Sequence, residues 1–170
     1  IGSHSDTVFG GGRYDGALGV LGALEVARTL AEADIALRHP LIVADYLAEE
    51  ATDFGVSCIG SRAMTGHFDA AWLGRTLNGQ TLAEAMAAVG GKPDAIAQAE
   101  RKPGEVAAAL ELHIEQGPVL EAQGIGLGAV SGIVGILRAI FTLRGQPDHA
   151  GTTPMSLRRD ALAAAAEVIA

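Results

Sequence analysis

Four short segments carry residues able to hold a cation or move a proton: His4-Ser5-Asp6, Asp15, Glu49-Glu50 and His113. In His4-x-Asp6, alternate residues of an extended chain point to the same side. The Asp6 carboxylate is then placed to accept the second N–H of the His4 ring and fix its tautomer. Adjacent Glu49 and Glu50 face different ways on extended backbone. One is then placed to bind an ion while the other stays free as a base for hydrolysis. Imidazole and carboxylate donors together suit zinc or a similar borderline divalent ion. Each piece also has an ordinary structural reading. A lone His-x-Asp arises by chance, a Glu-Glu pair commonly marks a solvated helix face, and His113 alone is compatible with a satisfied core histidine. His39 and His67 carry no pattern that points to chemistry. Cys58 reads as a small buried hydrophobe rather than a nucleophile.

The elements around these residues decide whether they meet. Residues 1–4 read as the tail of a strand and residues 5–15 as a Gly-rich loop. From Gly16 to about Asp34, Leu18, Leu21, Leu24, Ala27 and Leu30 recur at the spacing of a buried helix face. After Pro40, Leu41–Ala44 is a short apolar run typical of a strand covered on both faces and leads towards Glu49-Glu50. Thr81-Leu82-Ala83-Glu84 has the spacing of a capping box and opens a helix that stops at Gly90 or Gly91. Residues 92–105 read as a loop, Val106–Leu112 as a strand ending at His113, and Pro118–Ala122 as a helix closed by Gly124. Ligands of an open α/β sheet bind beyond the carboxyl ends of its strands, so this order brings the four segments to one edge. Gly10-Gly11-Gly12 fails the dinucleotide fingerprint, and Gly124-x-Gly126-x-x-Ala129 lies between a helix and a strand in the wrong order for one.

Beyond residue 126 the pattern changes. Residues 126–133 read as a linker strand. Leu137, Ala139, Phe141 and Leu143 then alternate with Arg138, Thr142 and Arg144, as in a half-exposed strand, and a helix runs from about Ser156 to the end. The expected fold class is α/β: a helix-covered, mostly parallel-sheet domain over residues 1–133, followed by the start of an α+β domain over residues 134–170.

Composition narrows the function classes. The 170 residues include 49% hydrophobic and 19% charged residues, a globular balance. Glycine is frequent, at 23 residues, which calls for tight turns and close backbone approaches. A net charge of −8 argues against nucleic-acid binding. No apolar run reaches the roughly 18 residues of a membrane span. One cysteine rules out an internal disulfide, and the absence of a leader makes the cytoplasm the expected location. Both ends read as cut: the chain starts Ile1-Gly2 and stops inside a helical pattern.

Taken in order, the segments resemble one family. Gly2-Ser3-His4-Ser5-Asp6-Thr7-Val8 with Gly11-Gly12-Arg13-Tyr14-Asp15-Gly16-Ala17 resembles the first metal motif of the hydantoinase/carbamoylase family, within the zinc-dependent aminoacylase and carboxypeptidase superfamily. Ala48-Glu49-Glu50 followed by Gly60-Ser61-Arg62 is similar to its second motif, and Glu111-Leu112-His113-Ile114-Glu115-Gln116-Gly117-Pro118 to its third and most specific. His149-Ala150-Gly151-Thr152-Thr153-Pro154 with Arg158-Arg159-Asp160 resembles the segment that opens its lid and dimerisation domain. The likeness spans essentially the whole chain.

This resemblance implies a two-metal amidohydrolase, zinc first, with manganese, cobalt or nickel as alternatives. It acts on small ureido acids: N-carbamoyl-L-amino acids foremost, then allantoate or ureidopropionate. No nucleic acid or membrane is implied as a partner, and the full-length protein is implied to be a homodimer. His4, Asp15 and His113 would hold one ion. Asp15 and Glu50 would hold a second, together with a histidine beyond this chain. Glu49 would be the general base for a water bridging the ions, and Asp6 would orient His4. Gln116 would contact substrate, and His149 would reach the neighbouring subunit's site to stabilise the oxyanion. The family often has Arg where Asp53 stands, a reversed charge that bears on substrate preference. Because segments of the family pattern lie outside these residues, the expectation for the chain alone is one tightly held ion and essentially no activity.

Overall fold

Glycine determines how closely the first helix approaches the first strand. The computed structural model describes all 170 residues, Ile1–Ala170. Strand β1 (Gly2–Ser3) is followed by the 16-residue helix α1 (Ala17–Glu32) and by strand β2 (Ala44–Asp45), which pairs parallel to β1 with Gly2 opposite Ala44 and Ser3 opposite Asp45. This is a β–α–β unit with very short strands. A Cβ on Gly19 would run into the Leu112 carbonyl and the Ser3 side chain, so α1 packs flush against β1 only because that position lacks one.

The same close approach corrects the expected face of α1. Its buried positions are Gly19 and Ala23, with Ala27 and Leu30 half-buried, while Leu18, Leu21 and Leu24 are exposed. The three-residue spacing of leucines marks a stripe beside the packed one, because contact at backbone distance selects glycine and alanine.

A second cluster lies between residues 48 and 96. Helix α2 (Ile59–Met64), the antiparallel pair β3 (Thr76–Leu77) and β4 (Gln80–Thr81), and helix α3 (Leu82–Ala88) surround a core of Val56, Ile59, Leu82 and Met86. Ala48, Phe54, Phe68, Trp72, Leu73 and Ile96 pack against it. The capping box forms as the sequence predicts: the Thr81 hydroxyl accepts from Glu84 N–H at 3.2 Å, and Thr81 N–H donates to Glu84 Oε2 at 2.7 Å. A 3-10 turn at Pro93–Ala99 occupies part of the expected loop. Helix α4 (Val119–Gln123) ends on Gly124 at φ 66°, as expected for a left-handed cap.

The expected sheet is far smaller than its apolar runs suggest. Of the segment Val106–Leu112, the Leu110 carbonyl accepts one main-chain bond, from Gly2 N–H at 3.1 Å, and no strand is formed. Apolar runs give a segment strand character, but a ladder exists only where another strand runs alongside.

The chain divides into two compact units, Ile1–Gly126 and Leu127–Ala170. In the second unit, residues 127–144 form no ladder, and Leu137, Ile140 and Phe141 are exposed. The alternating pattern there specifies a one-sided strand, and no partner strand lies beside it within this unit. Helix α5 (Ala161–Ile169) starts later than expected, because Asp160 caps it by accepting from Leu162 N–H at 2.8 Å and Ala163 N–H at 3.3 Å. No helix is long and apolar enough to cross a membrane.

Gly19→Ala tests the close packing through its sign. In an open helix this change stabilises by about 0.5–1 kcal/mol. Here it is expected to destabilise by roughly 1–3 kcal/mol through overpacking, read as a lowered urea midpoint.

Candidate metal centre

His4 ends β1 and is 3% exposed. Its Nδ1 lies 2.7 Å from the Asp6 main-chain carbonyl, which can only accept, so Nδ1 carries the proton and Nε2 of the neutral ring presents a lone pair. His113 repeats the arrangement, with Nδ1 2.9 Å from the Ile114 carbonyl. The two Nε2 atoms face each other at 3.2 Å, with the rings stacked at a centroid distance of 5.4 Å. Neither neutral ring has a proton to place between them. Asp15, 6% exposed just before α1, sets Oδ1 3.4 Å from His113 Nε2.

These distances fit a cation. Donors about 2.0–2.1 Å from a tetrahedral ion stand about 3.3 Å apart, close to the 3.2 and 3.4 Å separations here. Donor atoms of His4, Asp15 and His113 all lie within 4.8 Å of one another, as do those of His4, Glu49 and Glu50. His4, Asp15, His113 and Glu50 each fall in one of these groups, which share His4; the expected second pair, Asp15 with Glu50, is not itself one of them.

Glu49 and Glu50 sit in a turn held from two sides. Ala48 before them is at φ 46°, a left-handed conformation unusual for alanine. The N–H groups of Gly60, Ile59 and Cys58, where α2 begins, donate to the carbonyls of Leu47, Ala48 and Glu49 at 2.8, 3.0 and 2.8 Å. Asp6 Oδ1 accepts from Glu49 N–H and Oδ2 from Glu50 N–H, both at 3.1 Å. Glu49 Oε2 lies 3.8 Å from His4 Nε2, and its Oε1 is 3.6 Å from the Cys58 thiol.

The expected side-chain clamp of Asp6 on His4 differs from what is observed. The Asp6 carboxylate is 3.7 Å from His4 Nδ1, whose close partner is the main-chain carbonyl of the same residue. The carboxylate's two oxygens are instead turned to main-chain amides further along the chain. Cys58 is also more than a buried hydrophobe, since it meets Glu49 through both its thiol and its N–H. Sequence reasoning passed over it because the partners are nine residues apart across a turn.

The electrostatics are those of crowded carboxylates. Burial lowers the pKa of His4, but the Asp6 carbonyl and the negative charges of Glu49, Asp6 and Glu50 outweigh it and hold it above the ordinary 6.5. Burial, then repulsion from Asp15 and Glu49, raises the Glu50 carboxyl above its usual range, opposed by His4.

Gln116, at φ 53°, donates from Nε2 to Asp15 Oδ1 at 2.9 Å. Glu115 accepts from Val119 and Leu120 N–H at 3.0 and 2.9 Å and so caps α4, a role its sequence context did not signal. In the second unit, exposed His149 accepts at Nδ1 from Gly151 and Thr152 N–H at 3.0 and 3.2 Å. Its neutral ring therefore carries the proton on Nε2 as a free donor. Arg158 ties this loop by donating to the carbonyls of Thr153, at 3.0 Å, and Ala150.

A small α/β arrangement with paired imidazoles and clustered carboxylates matches a known hydrolase class: the chain belongs to Peptidase family M20/M25/M40, with the match covering residues 1–170. Within that family it is 49% identical over 170 residues to the N-carbamoyl-L-amino acid amidohydrolase of Geobacillus stearothermophilus, covering 99% of this chain and 42% of that relative. It is 40% identical over 171 residues to the N-carbamoyl-L-amino-acid amidohydrolase of Paenarthrobacter aurescens, covering 99% and 42%. To the allantoate amidohydrolase of Bacillus subtilis it is 41% identical over 170 residues, covering 99% and 41%. The chain thus spans about two fifths of the length of these relatives.

Gly16 links the glycine loop to the site. It is at φ 62°, and a Cβ there would strike the His4 carbonyl and ring. Gly16→Ala is expected to displace the ring and destabilise by about 1–3 kcal/mol, measured by thermal unfolding together with the His4 side-chain NMR resonances. Unmoved resonances would show that the ring does not depend on this contact.

Proposed function

We propose that the protein hydrolyses the carbamoyl C–N bond of N-carbamoyl-L-amino acids, using two divalent metal ions, zinc first. The observation that carries this reading is the convergence of His4, Asp15 and His113, with Glu49 beside them. The near half identity to an N-carbamoyl-L-amino acid amidohydrolase supports the substrate class. His4, Asp15 and His113 hold one ion, and Asp15 and Glu50 contribute to the second. When bound, the ions polarise the carbamoyl carbonyl and lower the pKa of water. Glu49 takes the proton of the attacking water on its carboxylate and passes it to the leaving nitrogen. The main-chain carbonyls of Asp6 and Ile114 place the proton of each neutral histidine on Nδ1 and leave Nε2 as the ligand atom. Gln116, bonded to Asp15, lies where the substrate's polar groups would be met. His149, with its free Nε2–H, donates to the developing oxyanion, a contribution of about 2.7–4 kcal/mol for such donors. In the full-length protein the second unit serves as the start of a lid in a cytoplasmic homodimer.

The likeness to an allantoate amidohydrolase supports a second reading, in which allantoate is the substrate. Ammonia release by the full-length protein from N-carbamoyl-L-amino acids and from allantoate separates the two. Turnover of neither, with cleavage of dipeptides instead, would overturn both.

Two variants test the roles. His113→Ala is expected to lose most bound metal by elemental analysis, and unchanged stoichiometry would place the site elsewhere. Glu49→Gln is expected to keep its metal and lose roughly 10²–10⁴-fold in kcat. Near-normal turnover in that variant would remove Glu49 as the base.

A further inference from the structure

We infer that the Asp6 carboxylate is the positioning group for Glu49 and Glu50, acting through their two main-chain N–H groups rather than through the His4 ring. The inference rests on the proposed hydrolase reading and deepens it. His4 Nδ1 already has its acceptor, the Asp6 carbonyl at 2.7 Å. The carboxylate stands 3.7 Å from that ring, and each of its oxygens instead takes one amide, that of Glu49 or of Glu50, across 43 and 44 residues of chain. Both bonds have a carboxylate oxygen as acceptor.

The turn they hold needs such support. Ala48 is left-handed at φ 46°, and non-glycine residues keep that conformation only where their surroundings over-determine it. The start of α2 holds the carbonyls of Leu47, Ala48 and Glu49 from one side. Asp6 holds the N–H groups of two of these same peptide units, Ala48–Glu49 and Glu49–Glu50, from the other, and those N–H groups make no other hydrogen bond. The peptide planes of Glu49 and Glu50 are thereby fixed, and with them the direction in which Glu49 sends Oε2 towards His4 Nε2, 3.8 Å away. One residue therefore serves two segments: its carbonyl sets the His4 tautomer and its side chain sets the two glutamates.

Hydrogen exchange read by mass spectrometry on the full-length protein tests this, with Asp6→Ala and Asp6→Asn beside wild type. In Asp6→Ala, peptides containing Glu49 and Glu50 are expected to exchange about tenfold faster, while those covering Gly2–Ser5 stay unchanged because the carbonyl remains. The kcat for the ureido substrate is expected to fall about tenfold or more with KM within about twofold, since the proposed base is displaced and not removed. Asp6→Asn keeps one acceptor oxygen and is expected to fall between wild type and Asp6→Ala in both measurements. Unchanged exchange at Glu49–Glu50, or faster exchange confined to the His4 strand, overturns the inference. Should Asp6→Ala not fold, Asp6→Asn decides by the same peptides. A wild-type protein without ureido turnover would sink the proposed function, while the exchange result would still decide the role of Asp6.

Discussion

Two imidazole Nε2 atoms held 3.2 Å apart set the conditions that the surrounding structure meets. Each ring is anchored at Nδ1 by a carbonyl one or two residues further on, which orients its Nε2 towards the other. Anchoring His4 requires β1 to end where it does. Burying it requires α1 to lie close, and that closeness requires Gly16 and Gly19. Ser3, fully buried beside it, donates its hydroxyl to Glu111 Oε1 at 2.7 Å and so fastens the strand to the segment that carries the other histidine. Much of the first unit is intelligible as support for one short nitrogen–nitrogen distance.

The candidate site was more legible in the sequence than the fold that builds it. His4, Asp15, Glu49, Glu50 and His113 are recognisable as residue types able to hold a cation or move a proton, and the structure brings all five into one locality. Local signals with a stereochemical mechanism were also readable. The Thr81–Glu84 capping box and the Gly124 cap depend only on residues a few positions apart, so the sequence contains all the information they need.

What the sequence did not disclose depends on partners distant along the chain. The leucines of α1 suggested a buried face, and the helix turned its glycine and alanine side inwards, because the separation from β1 is set by Ser3 and by the Leu112 carbonyl. Val106–Leu112 has strand composition but makes a single main-chain bond. Asp6 was assigned to its neighbour two residues away, whereas its carboxylate serves amides more than forty residues on. In each case the residue type was read correctly and the partner was not, since spacing along a chain says little about which distant backbone groups arrive beside it.

The separation of the two histidines has a further consequence. They are 109 residues apart in the chain, so their meeting closes a long loop. The entropy lost on closing such a loop grows with the logarithm of its length. A cation gripped by both rings would act as a removable cross-link, comparable in principle to a disulfide over the same span, and would bind only the chain already closed. Occupancy would then act on the whole first unit and raise its unfolding free energy with the logarithm of free ion concentration. The motifs that mark the chemistry would double as the clasp that fastens the beginning of the chain to its middle.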